Sequence, residues 1–268
     1  MLENLRLNKL FWTITTALAL AAALAGIVDR NLYDGLFPKD FLPGAFPQDI
    51  LTVLACVALF IVIATMREGE VRKQVVVLGV IGSFFYLYGI FTIERVYNAF
   101  YLLYAAVFGL SFWSLAYSLS QLKMGTVNRV SVPAGMRLLT AICSLLIAAV
   151  FTFLWTMALV PLLKARNRID FLYSIYILDL CFVMPAFAVT AIMALRGRML
   201  GAVLGPAIMI LGFFVIFPLA LNELAKPAAG LALSAGPLAA SLLFSALMLV
   251  LAVLQLRAMR GGSPSRGA

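Results

Sequence analysis

Histidine is absent from this 268-residue chain, and charge is scarce: 12% of its residues are Asp, Glu, Lys or Arg, where a soluble domain carries about 25%. Without histidine there is no His-ligated haem, no usual zinc site and no Ser-His or Cys-His nucleophile. Its three cysteines, Cys56, Cys143 and Cys181, form no C-x-x-C pair and each lies inside an apolar run. That excludes a dithiol redox centre and leaves small, reduced, buried side chains. Gly201 and Gly205 form a G-x-x-x-G, and Gly79 and Gly82 lie close together, but all four fall within apolar runs. There they serve helix packing rather than a nucleotide loop. No cofactor is expected.

What remains is overwhelmingly apolar. Hydrophobic residues make up 64% of the chain and the mean hydropathy is +1.07. Folded in water, such a chain would expose more apolar surface than a monomer tolerates; hydrocarbon is the solvent that fits. The net charge of +9 would suggest nucleic acid in a soluble protein. Here Lys and Arg are confined to short segments between apolar runs, where they set membrane orientation, and no basic soluble domain exists to bind nucleic acid.

A membrane-crossing helix needs about 20 apolar residues. Eight runs qualify: Lys9–Val28, Ile50–Met66, Gln74–Ile93, Tyr97–Leu122, Met136–Leu163, Phe171–Leu195, Met199–Leu221 and Ser234–Leu256. The third and fourth are nearly continuous. A single helix over both would be about 74 Å long, far more than a bilayer is thick, so Glu94-Arg95, with Asn98 just after, marks a tight hairpin. Arg6 and Lys9 give the first run a basic start, and it contains Ala23-Leu24-Ala25, which resembles a signal-peptide cleavage site. Its apolar stretch exceeds the roughly 7–15 residues of a signal, so it reads as a membrane span.

With the N-terminus inside, the inner segments hold 13 Lys and Arg and the outer segments 7. That bias places both termini in the cytoplasm, against the contrary charge of the loop from Lys164 to Asp170. The longest connection, Arg30–Asp49, carries Pro38, Pro43 and Pro47 beside Phe37, Phe41 and Phe46. It reads as an ordered interfacial flap or as a plain connector with aromatic anchors. The Gly/Ser/Pro-rich tail, 259–268, is expected to be disordered.

The halves 1–129 and 130–258 are alike at an offset of 129 residues: Arg67 matches Arg196 and Glu94 matches Glu223, while Asp49 falls within one residue of matching Asp179. Each half would hold four helices and start inside, giving two parallel repeats. Within this pattern, Pro47-Gln48-Asp49-Ile50-Leu51-Thr52 resembles the Q/N-D-x-x-T segment that opens the second helix in a group of uncharacterised bacterial eight-helix membrane proteins. Leu178-Asp179-Leu180 with Pro185, and Tyr86-Leu87-Tyr88, are similar to segments of the same group. The likeness covers about half the chain. It departs in the seventh helix, where the group often has a lysine before a glycine and this chain has Leu211-Gly212. The resemblance implies the all-α membrane fold and a bacterial inner membrane; the group has no assigned activity.

Asp179 stands about 12 Å into the sixth run by helical rise. A charge at that depth costs at least a few kcal/mol and should face the protein interior. On its own helix face only Tyr176 is polar and could donate to it, and Pro185 could kink the helix and free a carbonyl. Glu94 and Asn98, Asn222 and Glu223, and Asp49 gather at the outer level. If they converge, they make an outward-facing acidic cavity with tyrosine walls that attracts cations or amines; otherwise they are an interfacial collar, with Asp49 a helix cap. Three functions stay open: binding or moving a small solute or cation, an accessory role among membrane-protein partners, or lipid-acting enzymology, for which metal ligands would have to be assembled across helices.

Overall fold

The computed structural model describes residues 1–166 and 171–261. Arg168 and Asp170 of the fifth loop and most of the tail, 262–268, lie outside the described residues. Eight helical spans are long and apolar enough to cross a bilayer. They are α1 (Leu5–Val28), α2 (Ala45–Thr65), α3 (Val71–Ile93), α4 (Tyr101–Ser120), α6 (Ala134–Ala165), the broken pair α7 (Tyr173–Leu178) and α8 (Met184–Leu195), α9 (Met199–Ala225) and α10 (Ala235–Ala258). A short α5 (Met124–Asn128) joins α4 to α6, and no strand of regular length occurs among the described residues. The protein is an all-α polytopic membrane protein.

Most helix starts differ from the sequence reading by one to five residues, and two of the shifts have a local cause. α2 begins at Ala45, because Pro47 falls in its first turn, where a missing N–H costs nothing. α4 begins at Tyr101, because Asn98 holds the turn: its Oδ1 accepts from Phe100 N–H at 2.9 Å. The hairpin at Glu94-Arg95 forms as expected, with Arg95 in the left-handed region at φ 58°.

With lipid outside, helices associate through close packing and polar contacts rather than hydrophobic burial. The α1–α4 seam shows both. Asn8, Trp12, Thr15 and Ala19 recur at three- and four-residue steps on α1 and are buried, as are Ser111, Ser114 and Ser118 on α4. Trp12 Nε1 donates to Ser118 Oγ at 3.2 Å, and that hydroxyl donates to Asn8 Oδ1 at 2.7 Å. Large side chains on the outer faces, such as Leu102, Trp113 and Leu243, stand exposed, as a hydrocarbon solvent allows.

α3 is the most buried span and joins the two halves of the chain in one core. A Cβ at Gly79 would lie 2.8 Å from the Ala207 carbonyl of α9, so glycine there permits the α3–α9 approach. The two ends of the described chain meet at one end of the bundle, termed the near end. Met1 O accepts from Lys123 N–H at 2.9 Å, Leu2 N–H donates to Gln74 Oε1 at 3.1 Å, and Arg72 Nε donates to Met259 O at 3.0 Å. Burial, then the neighbouring Lys123, hold the Met1 amino group below its ordinary pKa.

At the far end the loop after α1 folds as an ordered flap. Tyr33 is buried and its ring packs on Phe37 and Phe91, Phe37 packs in turn on Phe171, and Arg30 lies over the Phe46 ring.

Candidate functional site

Pro185 has no N–H to give to the carbonyl four residues before it. The helix answers with a π turn over Asp179–Val183, in which Met184 N–H bonds Asp179 O instead. Such turns recur at functional sites. This one sets the Asp179 side chain, 3% exposed, against a cavity of about 200 Å³ between α6, the α7–α8 pair, α9 and α3, running from the far end toward the middle of the bundle. Its walls are apolar side chains such as Ile90, Phe151, Phe187 and Leu219, interrupted by Gln48, Tyr86, Trp155 and Asp179.

Trp155 Nε1 donates to Asp179 Oδ2 at 2.6 Å. The Tyr86 hydroxyl lies beside the same carboxylate but falls short of hydrogen-bond geometry, and Asp179 Oδ1 has no partner. Gln48 is the second polar group in the lining. Thr52 Oγ1 spends its proton on the Gln48 carbonyl at 2.9 Å and so can only accept from the Gln48 side chain, through Nε2 at 3.2 Å. That orients the amide and leaves Gln48 Oε1 buried without a partner. Two unpartnered acceptors therefore line one cavity.

The other expected site residues lie elsewhere, and of the four acids singled out from the sequence only Asp179 lines this cavity. Asp49 is the fifth residue of α2, not its cap; the cap position is Gly44, which has no side chain. Asp49 is buried, and Tyr33 donates to both of its oxygens at 3.1 and 3.3 Å. Burial first, and then the Asp49 carboxylate, push the Tyr33 hydroxyl well above its ordinary pKa, so it remains a donor. Asp49 and Asp179 are held apart by α3. Tyr88 faces α1, where it donates to Ala19 O at 2.8 Å, and Tyr86 faces Asp179; two residues apart on a helix, they point to nearly opposite sides.

Glu94 accepts from Ser174 N–H at 2.7 Å and so caps the start of α7. Glu223 pairs with Lys226 at 2.5 Å and accepts from Ser234 N–H at 2.9 Å, capping α10. Asn98 Nδ2 donates to Leu32 O and to the Tyr104 hydroxyl, and Asn222 Nδ2 donates to Asp40 O at 2.9 Å; both tie the flap to the bundle. Tyr176 does not donate to Asp179. The Trp155 indole occupies that place, and the Tyr176 ring packs edge-on against it at 5.4 Å. Among the described residues no three His, Cys, Asp or Glu side chains cluster as a metal would require.

Trp155 and Gln48 are the residues that sequence reasoning missed. Gln48 sat in view within the Q-D-x-x-T segment; Trp155 gave no signal beyond being a lone indole deep in an apolar run. Compared with known proteins, the chain matches no family model, no curated protein and no solved structure. Fold and site together define a multi-pass membrane protein with a mostly apolar intramembrane cavity and a single carboxylate in it.

Proposed function

We propose that this protein binds a small solute with a positively charged, donor-bearing head and a short apolar body, Asp179 acting as its counter-ion and Gln48 Oε1 as the second acceptor. One observation carries the reading: two buried acceptors of cavity-lining residues, Asp179 Oδ1 and Gln48 Oε1, have no hydrogen-bond partner, and the Tyr86 hydroxyl in the same lining can accept as well as donate. Leaving a buried acceptor unmatched costs about 1–3 kcal/mol, more for a charged one, and a ligand N–H would recover that cost. Among the described residues Asp179 has no cationic partner; the two ion pairs there are Lys73–Glu70 and Lys226–Glu223. The cavity, near 200 Å³, is smaller than the roughly 300–1,000 Å³ of drug-sized pockets, which limits the occupant to a few carbons beyond its head. With both termini in the cytoplasm, as the Lys/Arg bias predicts, the cavity belongs to the outer half of the bilayer.

The test is calorimetric titration of the detergent-solubilised protein with propylguanidinium, which keeps its charge at all working pH values, and with propylurea, its neutral counterpart. Propylguanidinium should bind at least ten times more tightly than propylurea, and Asp179→Asn should remove that preference while eluting as a folded monodisperse protein. Equal affinity for the two probes, or an unchanged preference in Asp179→Asn, would rule the reading out.

A further inference from the structure

Toward the near end, beneath the Asp179 cavity, α6, α8, α9 and α10 enclose a second, polar pocket. Arg137, Thr140 and Ser144 of α6, Thr190 of α8 and Gln255 of α10 line it, with Gly205 of α9 opposite. Gln255 is 1% exposed. Its Nε2 donates to Ala202 O at 2.7 Å; a carbonyl can only accept, so the amide is oriented, and Oε1 faces Gly205 with no partner.

The two linings follow one another along the same helix faces. On α6, Trp155, Phe151 and Ile147 belong to the cavity and Ser144, Thr140 and Arg137 to the lower pocket, stepping down one helix face at intervals of three and four residues. Each of the other helices passes from one lining to the other in the same direction: Phe187 to Thr190 on α8, Gly212 to Gly205 on α9, Met248 to Gln255 on α10. At the junction Phe187 and Met248, each 1% exposed, close over Gly212, where a Cβ would lie 2.5 Å from Met248 Sδ and 2.9 Å from Phe187 Cζ.

We infer that this seam is a through route: the Asp179 cavity is its far mouth, Phe187 and Met248 are an apolar plug, and the pocket at Ser144, Thr190 and Gln255 is its near exit, so the protein moves its cationic solute across the membrane. The inference rests on reading the Asp179 cavity as a cation site. Acceptors stand on both sides of the plug, Asp179 Oδ1 and Gln48 Oε1 above, Gln255 Oε1 below, and all three are unpartnered. Arg137 lines the exit, where a like charge weakens binding, as release requires. The lower pocket is too tight for a water molecule, so this is a closed arrangement. Pro185 beside the π turn of the sixth span, and Pro206 and Pro218 within α9, are the points at which those helices can bend to open it.

Cysteine accessibility tests the route without reference to the solute. Cys56, Cys143 and Cys181 are replaced by alanine, and Phe151→Cys (cavity) or Thr190→Cys (lower pocket) is introduced singly. Sealed vesicles are treated on the cavity side with methanethiosulfonate ethyltrimethylammonium, an impermeant cation. Phe151→Cys should react with the plug intact. Thr190→Cys should be protected, and Phe187→Ala should raise its rate at least ten-fold. Phe187→Leu serves as the milder opening should the alanine variant elute as aggregate. If Thr190→Cys stays protected in both while Phe151→Cys reacts, the route is wrong and the cavity reading survives. Equal reactivity of Thr190→Cys with and without the substitution also overturns the plug. No reaction at Phe151→Cys in any background removes the mouth, and both readings with it. Propylguanidinium binding without uptake in the Phe187→Ala vesicles overturns transport alone.

Discussion

Trp155 Nε1 meets Asp179 Oδ2 at 2.6 Å, and that bond joins α6 to the π turn of the sixth span. A hydrogen bond to a charged group contributes about 1.5–3 kcal/mol, and more is lost when a buried charge is left uncompensated. Trp155→Phe should therefore lower the unfolding midpoint in detergent measurably. The double-mutant cycle of Trp155→Phe with Asp179→Asn should give a coupling of about 1–3 kcal/mol. A coupling near zero would mean that the contact is incidental.

Tyr33 and Asp49 form a separate unit on the other side of α3. Tyr33→Phe leaves a buried carboxylate without its hydroxyl donor and should cost about 1–3 kcal/mol. Because Tyr33 also anchors the flap aromatics, the same change should speed amide exchange across residues 30–44. Propylguanidinium affinity should not change, since Asp49 does not line the Asp179 cavity. A loss of affinity as large as that of Asp179→Asn would show that the two acids act together after all.

Much of the fold was legible because lipid imposes a simple code: long apolar runs, interrupted by charge only where the chain turns. Glu94-Arg95 marked the α3–α4 hairpin for that reason. The site was legible only in its carboxylate. The depth of Asp179 in the sixth run required a protein-side partner, but that partner, Trp155, lies on another helix, and no spacing rule connects the two. The π turn depends on how the chain accommodates Pro185 and reads from sequence only as a break in regularity. Glu94 and Glu223 looked alike in the sequence and both proved to be helix-capping acceptors. Asp49 and Asp179 also looked alike, yet one is satisfied by a tyrosine and the other keeps a free oxygen. Partners contributed by other segments decide that difference.

Glu70 offers a pH-dependent contact outside the membrane. Its carboxylate accepts from Arg67 N–H at 2.5 Å and pairs with Lys73 at 3.1 Å, and these contacts, the Arg67 bond first, hold its pKa below the ordinary 4.5. A depressed carboxylate contributes stability above its unfolded pKa and loses it as pH falls through the lowered folded value. The Arg67 amide should keep a constant protection factor from neutrality down to about pH 5 and lose it at more acid pH. Glu70→Gln should flatten that profile. An Arg67 amide equally protected in both proteins across the range would show that the carboxylate does not hold the turn.

Gln48 separates binding from stability most sharply. Its Oε1 is buried and unpartnered, so the native protein carries the desolvation cost of that atom without a bond in return. Gln48→Leu removes the atom at similar volume. It also removes the Nε2 contact to Thr52, a neutral bond of about 0.5–1.5 kcal/mol net. The two changes oppose each other, and thermal stability should stay within about 1 kcal/mol of the parent. Propylguanidinium affinity should nevertheless fall at least ten-fold, because a donor head in the cavity would lose one of its two acceptors. Such a loss of ligand at nearly constant stability is what a site held strained for function produces. If Gln48→Leu binds the probe as well as the parent, the amide belongs to packing and Asp179 is the only ligand-facing group of the pair.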